Sequence, residues 1–197
     1  MKSIIPALLL STVTIAPAIN ADEAILAGGC FWCMESDFEK LEGVTEVISG
    51  FTGGSTPNPT YNGDHTGHYE AVKITYDENK VSYREILAHY WVNIDPFDDR
   101  GQFCDKGPSY LSAIFVANKQ ERSIAEETKN AVKAQFPNQK VVTPILDASP
   151  FYPIKGDEIG HQDFYKKSPV RYKLYRWNCG RDERLEEIWG EKATGRS

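Results

Sequence analysis

The sequence has little of what marks a specialised class of protein. Four cysteines in 197 residues are too few to replace a core with a disulfide scaffold. Basic residues are outnumbered 28 to 22, for a formal charge of −6. That balance withholds the basic face that nucleic acid or an anionic lipid surface requires. No apolar stretch reaches the ~20 residues needed to span a bilayer, and there is no internal repeat or low-complexity segment. What remains is 41% hydrophobic residues with Phe 9, Tyr 10 and Trp 4. This suits one packed soluble core, with no nucleic acid, no stable membrane association and a monomer as the default.

The first 21 residues stand apart. Lys2 precedes an apolar run from Ile4 to Ala18, and small residues follow at Ala16, Ala18 and Ala21. The pattern is that of a secretory signal peptide, with cleavage expected after Ala21 or else after Ala18. Ser11, Thr12 and Thr14 interrupt the run and argue against a membrane anchor. A lipoprotein signal ending at Cys30 is disfavoured because the apolar run stops a dozen residues earlier. The expectation is a removed leader over residues 1–21, a single catalytic domain over 22–197, and a periplasmic or secreted location. Without Lys2 the mature chain carries a formal charge of −7.

Periodicity gives alternating strands and helices. Strands are expected at residues 24–29, 44–51, 69–77, 110–117 and 140–146, the last on an edge because Pro144 cannot donate to a ladder. A helix follows Gly28-Gly29 at 30–41. A second starts at a Ser82 and Glu85 capping box, and a third at Asn118. Residues 52–67 hold Gly53-Gly54, Pro57, Pro59 and Asn62-Gly63, and form a long turn-rich loop. The order predicts an α+β two-layer sandwich, with a mixed sheet containing a ferredoxin-like plait. After Ser168 an irregular C-terminal tail is expected, ending in a short helix over 182–189.

The chemistry concentrates at Gly28-Gly29-Cys30-Phe31-Trp32-Cys33. A cysteine where a strand meets a helix N-terminus faces unpaired N–H groups, which favour thiolate and make Cys30 a candidate nucleophile. The same residues fit a structural disulfide in an exported protein, and Cys30-x-x-Cys33 also fits a thioredoxin-like pair. Zinc is disfavoured because Cys104 and Cys179 stand alone, so no metal site is expected. In the third strand, alternation puts Glu70 on the face of Val72, Ile74 and Tyr76. A carboxyl there is desolvated, stays protonated near neutral pH, and can act as a general acid.

Together Gly29-Cys30-Phe31-Trp32, Asn58-Pro59-Thr60-Tyr61, Thr66-Gly67-His68-Tyr69-Glu70, Asp105 with Tyr110, and His161-Gln162 resemble the peptide methionine sulfoxide reductase A family. The likeness runs from about Ile25 to Trp189. It implies reduction of methionine S-sulfoxide, free or in proteins, with no cofactor. Cys30 would attack the sulfur while Glu70 protonates the oxygen, Tyr61 and Tyr110 hydrogen-bond it, and Phe31 and Trp32 cradle the methyl group. Asp105 would orient the network. The resulting Cys30 sulfenic acid would become an intramolecular disulfide, reduced in turn by a thioredoxin-like donor.

The resemblance places the resolving thiol in a glycine-containing C-terminal segment, which makes Cys179 the first choice. Cys33, where the family more often has glycine, is the alternative. Cys104 is read as a packing or auxiliary thiol, and His89 and His161 as structural. Two other functions compete: a thiol-disulfide oxidoreductase using Cys30 and Cys33, and a secreted binding module with two structural disulfides. After leader removal Met34 is the one methionine left, which suits a life among oxidants.

Overall fold

The computed structural model describes residues 21–193. The expected leader lies outside the described residues except for Ala21, the first residue of β1 (Ala21–Gly28). β1 leads into α1 (Phe31–Phe38), then the paired strands β2 (Val44–Thr52) and β3 (Tyr69–Asp77). Next come α2 (Tyr83–Trp91), the short hairpin of β4 (Gly101–Gln102) and β5 (Asp105–Lys106), β6 (Ser112–Val116) and α3 (Lys119–Gln135). The edge strands β7 (Ile145–Asp147) and β8 (Tyr152–Pro153) precede α4 (Phe164–Lys167), α5 (Pro169–Asn178) and α6 (Arg181–Trp189).

The main sheet has the order β7-β6-β1-β3-β2-β8. Its inner four strands, β6-β1-β3-β2, pair antiparallel and form the expected plait, and β7 adds in parallel beside β6. β7 lies on an edge as expected, but it begins at Ile145, so Pro144 stands just before the strand and residues 140–144 are not part of it. Alternation along β3 sends Val72, Ile74 and Tyr76 into the main core beneath the helices, and Ala71 into a small second cluster with Ala27, Ala113 and Phe115. Both predicted helix starts are formed. Ser82 and Glu85 make a reciprocal capping box, and Asn118 Oδ1 accepts the Glu121 N–H at 2.9 Å.

The C-terminal segment departs from expectation at α5, which forms a helix where an irregular tail was expected, while α6 is the expected short helix. The apolar stripe of α5, Val170, Leu174 and Trp177, faces outward, while its buried residues are Tyr172 and Arg176. A charged anchor holds that inner face. Arg176 Nη1 lies 2.8 Å from Asp37 Oδ1, with Asp37 itself buried on α1. The i, i+4, i+7 spacing of these residues marks a helix, but a stripe that faces solvent does not show which side packs on the core.

Candidate active site

Two glycines bring Cys30 to the end of β1. A Cβ on Gly28 would stand 2.4 Å from Met34 Sδ, and Gly29 has φ +82 with its Cβ position 2.6 Å from the Gln102 side chain. Neither position admits a side chain without displacing its neighbour, and Gly29 takes the left-handed backbone that glycine adopts freely. Cys30 is the N-cap of α1 and is buried, at 6% exposure.

The first free N–H of α1 does not serve the thiol. Phe31 N donates at 3.1 Å to Glu70 Oε2, and Glu70 is 2% exposed at the start of β3. Burial raises the Glu70 pKa to about 8, against the opposing pull of the Phe31 and Tyr110 hydrogen bonds. This acid is protonated at neutral pH. Cys30 departs from the expected low pKa: burial pushes its thiol up, aided by Cys33 and the Glu70 carboxyl. Cys33 is drawn downward by its hydrogen bond with Cys30, with Arg181 and Arg176 also favouring its thiolate.

Tyr61 and Tyr110 both sense Glu70 and Cys30, and burial pushes both phenols up, Tyr61 to about 12. They are therefore hydroxyl donors at working pH. Tyr61 is held by the long loop, whose Tyr61 and Asn62 N–H groups donate to the two Glu158 carboxylate oxygens at 2.8 Å each. Asp105, on β5, accepts the Tyr175 hydroxyl, and Tyr175 lies near enough to Cys30 that the two groups shift one another's pKa. Tyr175 was not foreseen as a site residue, since its helix was expected to be irregular.

The wall beside the thiol is aromatic. The Trp32 ring stacks on Phe164 at 4.0 Å and His161 at 5.5 Å, and Tyr61 lies 3.8 Å from His161 and 5.8 Å from Phe31. His161, read from sequence as structural, is part of this wall. Its loop is fastened by Glu35, fully buried one turn beyond Trp32, which accepts the Asp163 N–H at 2.8 Å and the Gln162 side-chain amide. Burial raises Glu35 to about 8 as well.

The four cysteines sort into two pairs. Cys30 and Cys33 are free and buried, whereas Cys104 and Cys179 form a disulfide. This corrects the reading of Cys104 as a packing thiol: it is exposed, because the tip of the β4–β5 hairpin carries it out to meet the C-cap of α5. Cys179, expected to resolve, is engaged by Cys104, with its Sγ 3.9 Å from Asp105 Oδ2. The free thiol in contact with Cys30 is that of Cys33.

Among the described residues, two groups could gather around a metal ion: Cys104, Asp105 and Cys179, and Glu35, Glu39 and Asp163. The first has both sulfurs in the disulfide. In the second, Lys166 already pairs with Glu39 at 2.5 Å and Asp163 at 2.8 Å.

A buried thiol, a protonated acid, two phenols and an aromatic wall put a nucleophilic group and proton donors into one site. The family model described as peptide methionine sulfoxide reductase matches residues 22–193. Peptide methionine sulfoxide reductase MsrA 2 of Caulobacter vibrioides is 46% identical over 181 residues, covering 89% of this chain and 90% of that one. Among solved structures, methionine sulfoxide reductase A of Corynebacterium diphtheriae superposes with a TM-score of 0.66 at 30% identity, covering 76% of each chain. Mxr1 of Saccharomyces cerevisiae in reduced form shares the fold, with a TM-score of 0.68 at 23% identity over 83% of this chain and 94% of that one. The chain belongs to the peptide methionine sulfoxide reductase family.

Proposed function

We propose that the chain is a peptide-methionine S-sulfoxide reductase in which Cys30 takes the oxygen and Glu70 handles the proton. The observation that carries this reading is the buried Glu70 carboxyl, its pKa raised to about 8, joined to the residue after the nucleophile by the Phe31 N–H. The substrate methyl group lies against Phe31 and Trp32, with the oxygen toward Glu70, Tyr61 and Tyr110. Cys30 sulfur attacks the sulfoxide sulfur as Glu70 protonates the sulfoxide oxygen, and the resulting hydroxyl passes from the substrate sulfur to the Cys30 sulfur as the new S–S bond breaks. The thiol proton returns to Glu70, leaving methionine and a Cys30 sulfenic acid.

The sulfenic acid then condenses with a thiol, releasing water and forming a disulfide. Contact with Cys30 favours Cys33 for this step, since Cys179 is bonded to Cys104. Cys179 becomes available once its own disulfide is opened. Its approach is supported by Asp105, whose Oδ2 accepts the Tyr175 hydroxyl and lies 3.9 Å from Cys179 Sγ, with Tyr175 electrostatically coupled to Cys30. A protein dithiol of the thioredoxin type supplies two electrons per turnover, and the leader-like pattern of residues 1–21 supports a site of action outside the cytoplasm for both proteins. Exposed methionine sulfoxide in oxidised proteins and the free amino acid both fit an aromatic wall that grips only a methyl group. The competing thiol-disulfide exchange reading is disfavoured because Cys30 and Cys33 are 6% and 2% exposed, which hides them from a protein disulfide.

The test is incubation of the purified mature chain with racemic N-acetyl methionine sulfoxide and dithiothreitol, followed by separation of the sulfur epimers. Selective loss of the S epimer, abolished in Cys30→Ser and slowed at least a hundredfold in Glu70→Gln, is the expected result. Loss of neither epimer overturns the reading.

A further inference from the structure

Four large hydrophobic side chains stand exposed among the described residues, and three of them lie on one face of α5: Val170 at 79%, Leu174 at 57% and Trp177 at 76%. Their i, i+4, i+7 spacing makes a continuous ridge roughly 10 Å long at 1.5 Å rise per residue. The ridge ends two residues before Cys179, whose disulfide partner Cys104 is exposed. An apolar strip of this kind, unusual in a monomer's surface, marks a place where another molecule sits.

The charge on the ridge's own segment is of one sign, with Asp182 and Glu183 following just after it. No acidic residue occurs between Phe164 and Gly180, although acids outnumber bases in the whole chain. Arg171 and Lys173 flank the ridge, exposed, and Lys167 lies just before it. None of the three has an ion-pair partner among the described residues. Beside Trp177 and Lys173 runs a groove of about 540 Å³, lined also by Lys40, Tyr165 and Glu183. A partner that matches this surface presents an apolar contact area with an acidic rim.

We propose that the Val170, Leu174 and Trp177 ridge is the docking face for the protein dithiol that reduces the Cys104–Cys179 disulfide, a partner whose cysteines sit in an apolar surface with acidic surroundings. The inference rests on the reductase reading above. A thiolate of the partner attacks one sulfur of the disulfide, whose S–S bond breaks as a mixed disulfide forms. The partner's second thiol attacks the mixed disulfide. Two protons and two electrons pass to Cys104 and Cys179, the partner leaves as a disulfide, and the Cys179 thiol then reduces the oxidised Cys30 pair by exchange, re-forming the Cys104–Cys179 disulfide.

The test compares two electron donors on the same chain: dithiothreitol, and a thioredoxin with its reductase and NADPH. In Leu174→Asp/Trp177→Asp and in Trp177→Ala, dithiothreitol-supported turnover should stay within twofold of wild type. The apparent KM for thioredoxin should rise at least tenfold. Arg171→Glu/Lys173→Glu should show the same split, and raising salt from 50 to 500 mM should slow only the thioredoxin-supported reaction of wild type.

Unchanged thioredoxin kinetics in the apolar variants overturns the proposal. An equal loss with both donors overturns it too, as does a wild-type chain that accepts dithiothreitol and refuses thioredoxin. A ridge that proves on sedimentation to hold two copies of this chain together, with the variants monomeric, assigns it to a different occupant and has the same effect. If dithiothreitol supports no sulfoxide reduction at all, the reductase reading is what fails.

Discussion

The backbone N–H of Phe31 is donated to Glu70 Oε2 at 3.1 Å, so the opening of α1 is committed to the acid and not to the cysteine it follows. The bond ties the helix that presents Cys30 to the strand that presents Glu70. The positions of Cys30 and Glu70 are therefore linked through one hydrogen bond.

That arrangement sets a pH dependence. Glu70 works in its protonated form, so kcat/KM should fall as pH rises through about 8. In the folded chain the pKa lies above its unfolded value of about 4.3, so this group's stabilising contribution is full below that value. It is lost progressively as pH rises toward about 8. Glu70→Gln should remove this part of the pH dependence from thermal unfolding curves between pH 4 and 9. A melting curve of the variant with the same slope against pH as wild type would contradict the assignment.

The two free cysteines give a chemical readout. One equivalent of sulfoxide added to the chain without reductant should produce a disulfide between Cys30 and Cys33, identified by peptide mass mapping. In Cys33→Ser the sulfenic acid should persist and be captured by dimedone. Cys179→Ser should leave this first condensation intact and impair only multiple turnover with a protein dithiol. A Cys30 to Cys179 linkage in wild type would return the resolving role to Cys179.

The disulfide between Cys104 and Cys179 spans a sequence separation of 75 residues. Closing a loop of that size removes unfolded-chain entropy worth up to about 4 kcal/mol. Dithiothreitol should lower the Tm of wild type by several degrees and leave that of Cys104→Ser unmoved. Differential scanning fluorimetry with and without reductant measures both, and equal shifts in the two chains would show that the loop closure adds nothing.

Glu35 separates fastening from charge. Its raised pKa, about 8, keeps it neutral at pH 7, so Glu35→Gln should preserve the acceptor for the Asp163 N–H and change the sulfoxide KM by less than threefold. Glu35→Ala leaves that N–H and the Gln162 amide without a buried partner, a cost of about 1–3 kcal/mol. It should raise KM at least fivefold, because His161 loses its fixed place beside Trp32. Equal kinetics in the two variants would remove Glu35 from any positioning role.

The inner sheet was readable because its residues obey a simple period. Val72, Ile74 and Tyr76 alternate into the core and carry Glu70 with them, so a buried acid could be inferred from spacing alone. The cap residues Ser82 and Asn118 were equally plain. The protonation of Cys30 was not, because a helix N-terminus and burial act in opposite directions and only coordinates show that burial prevails. His161 and Tyr175 were hidden for another reason. Each reaches the site from a segment whose inner face is anchored by polar groups, Gln162 on Glu35 and Arg176 on Asp37, so apolar periodicity does not show which side faces the site.

Met34 lies wholly buried on α1, its sulfur against the backbone of Gly28 and 3.6 Å from Arg181 Nη2. Oxidants dissolved in the surrounding water have no route to that thioether while the fold is closed. An enzyme of this family meets the same reagents that create its substrate, and a surface methionine would make each copy compete for its neighbour's site. By packing the one methionine among its described residues beneath the nucleophile, the fold keeps the repair protein from becoming its own substrate.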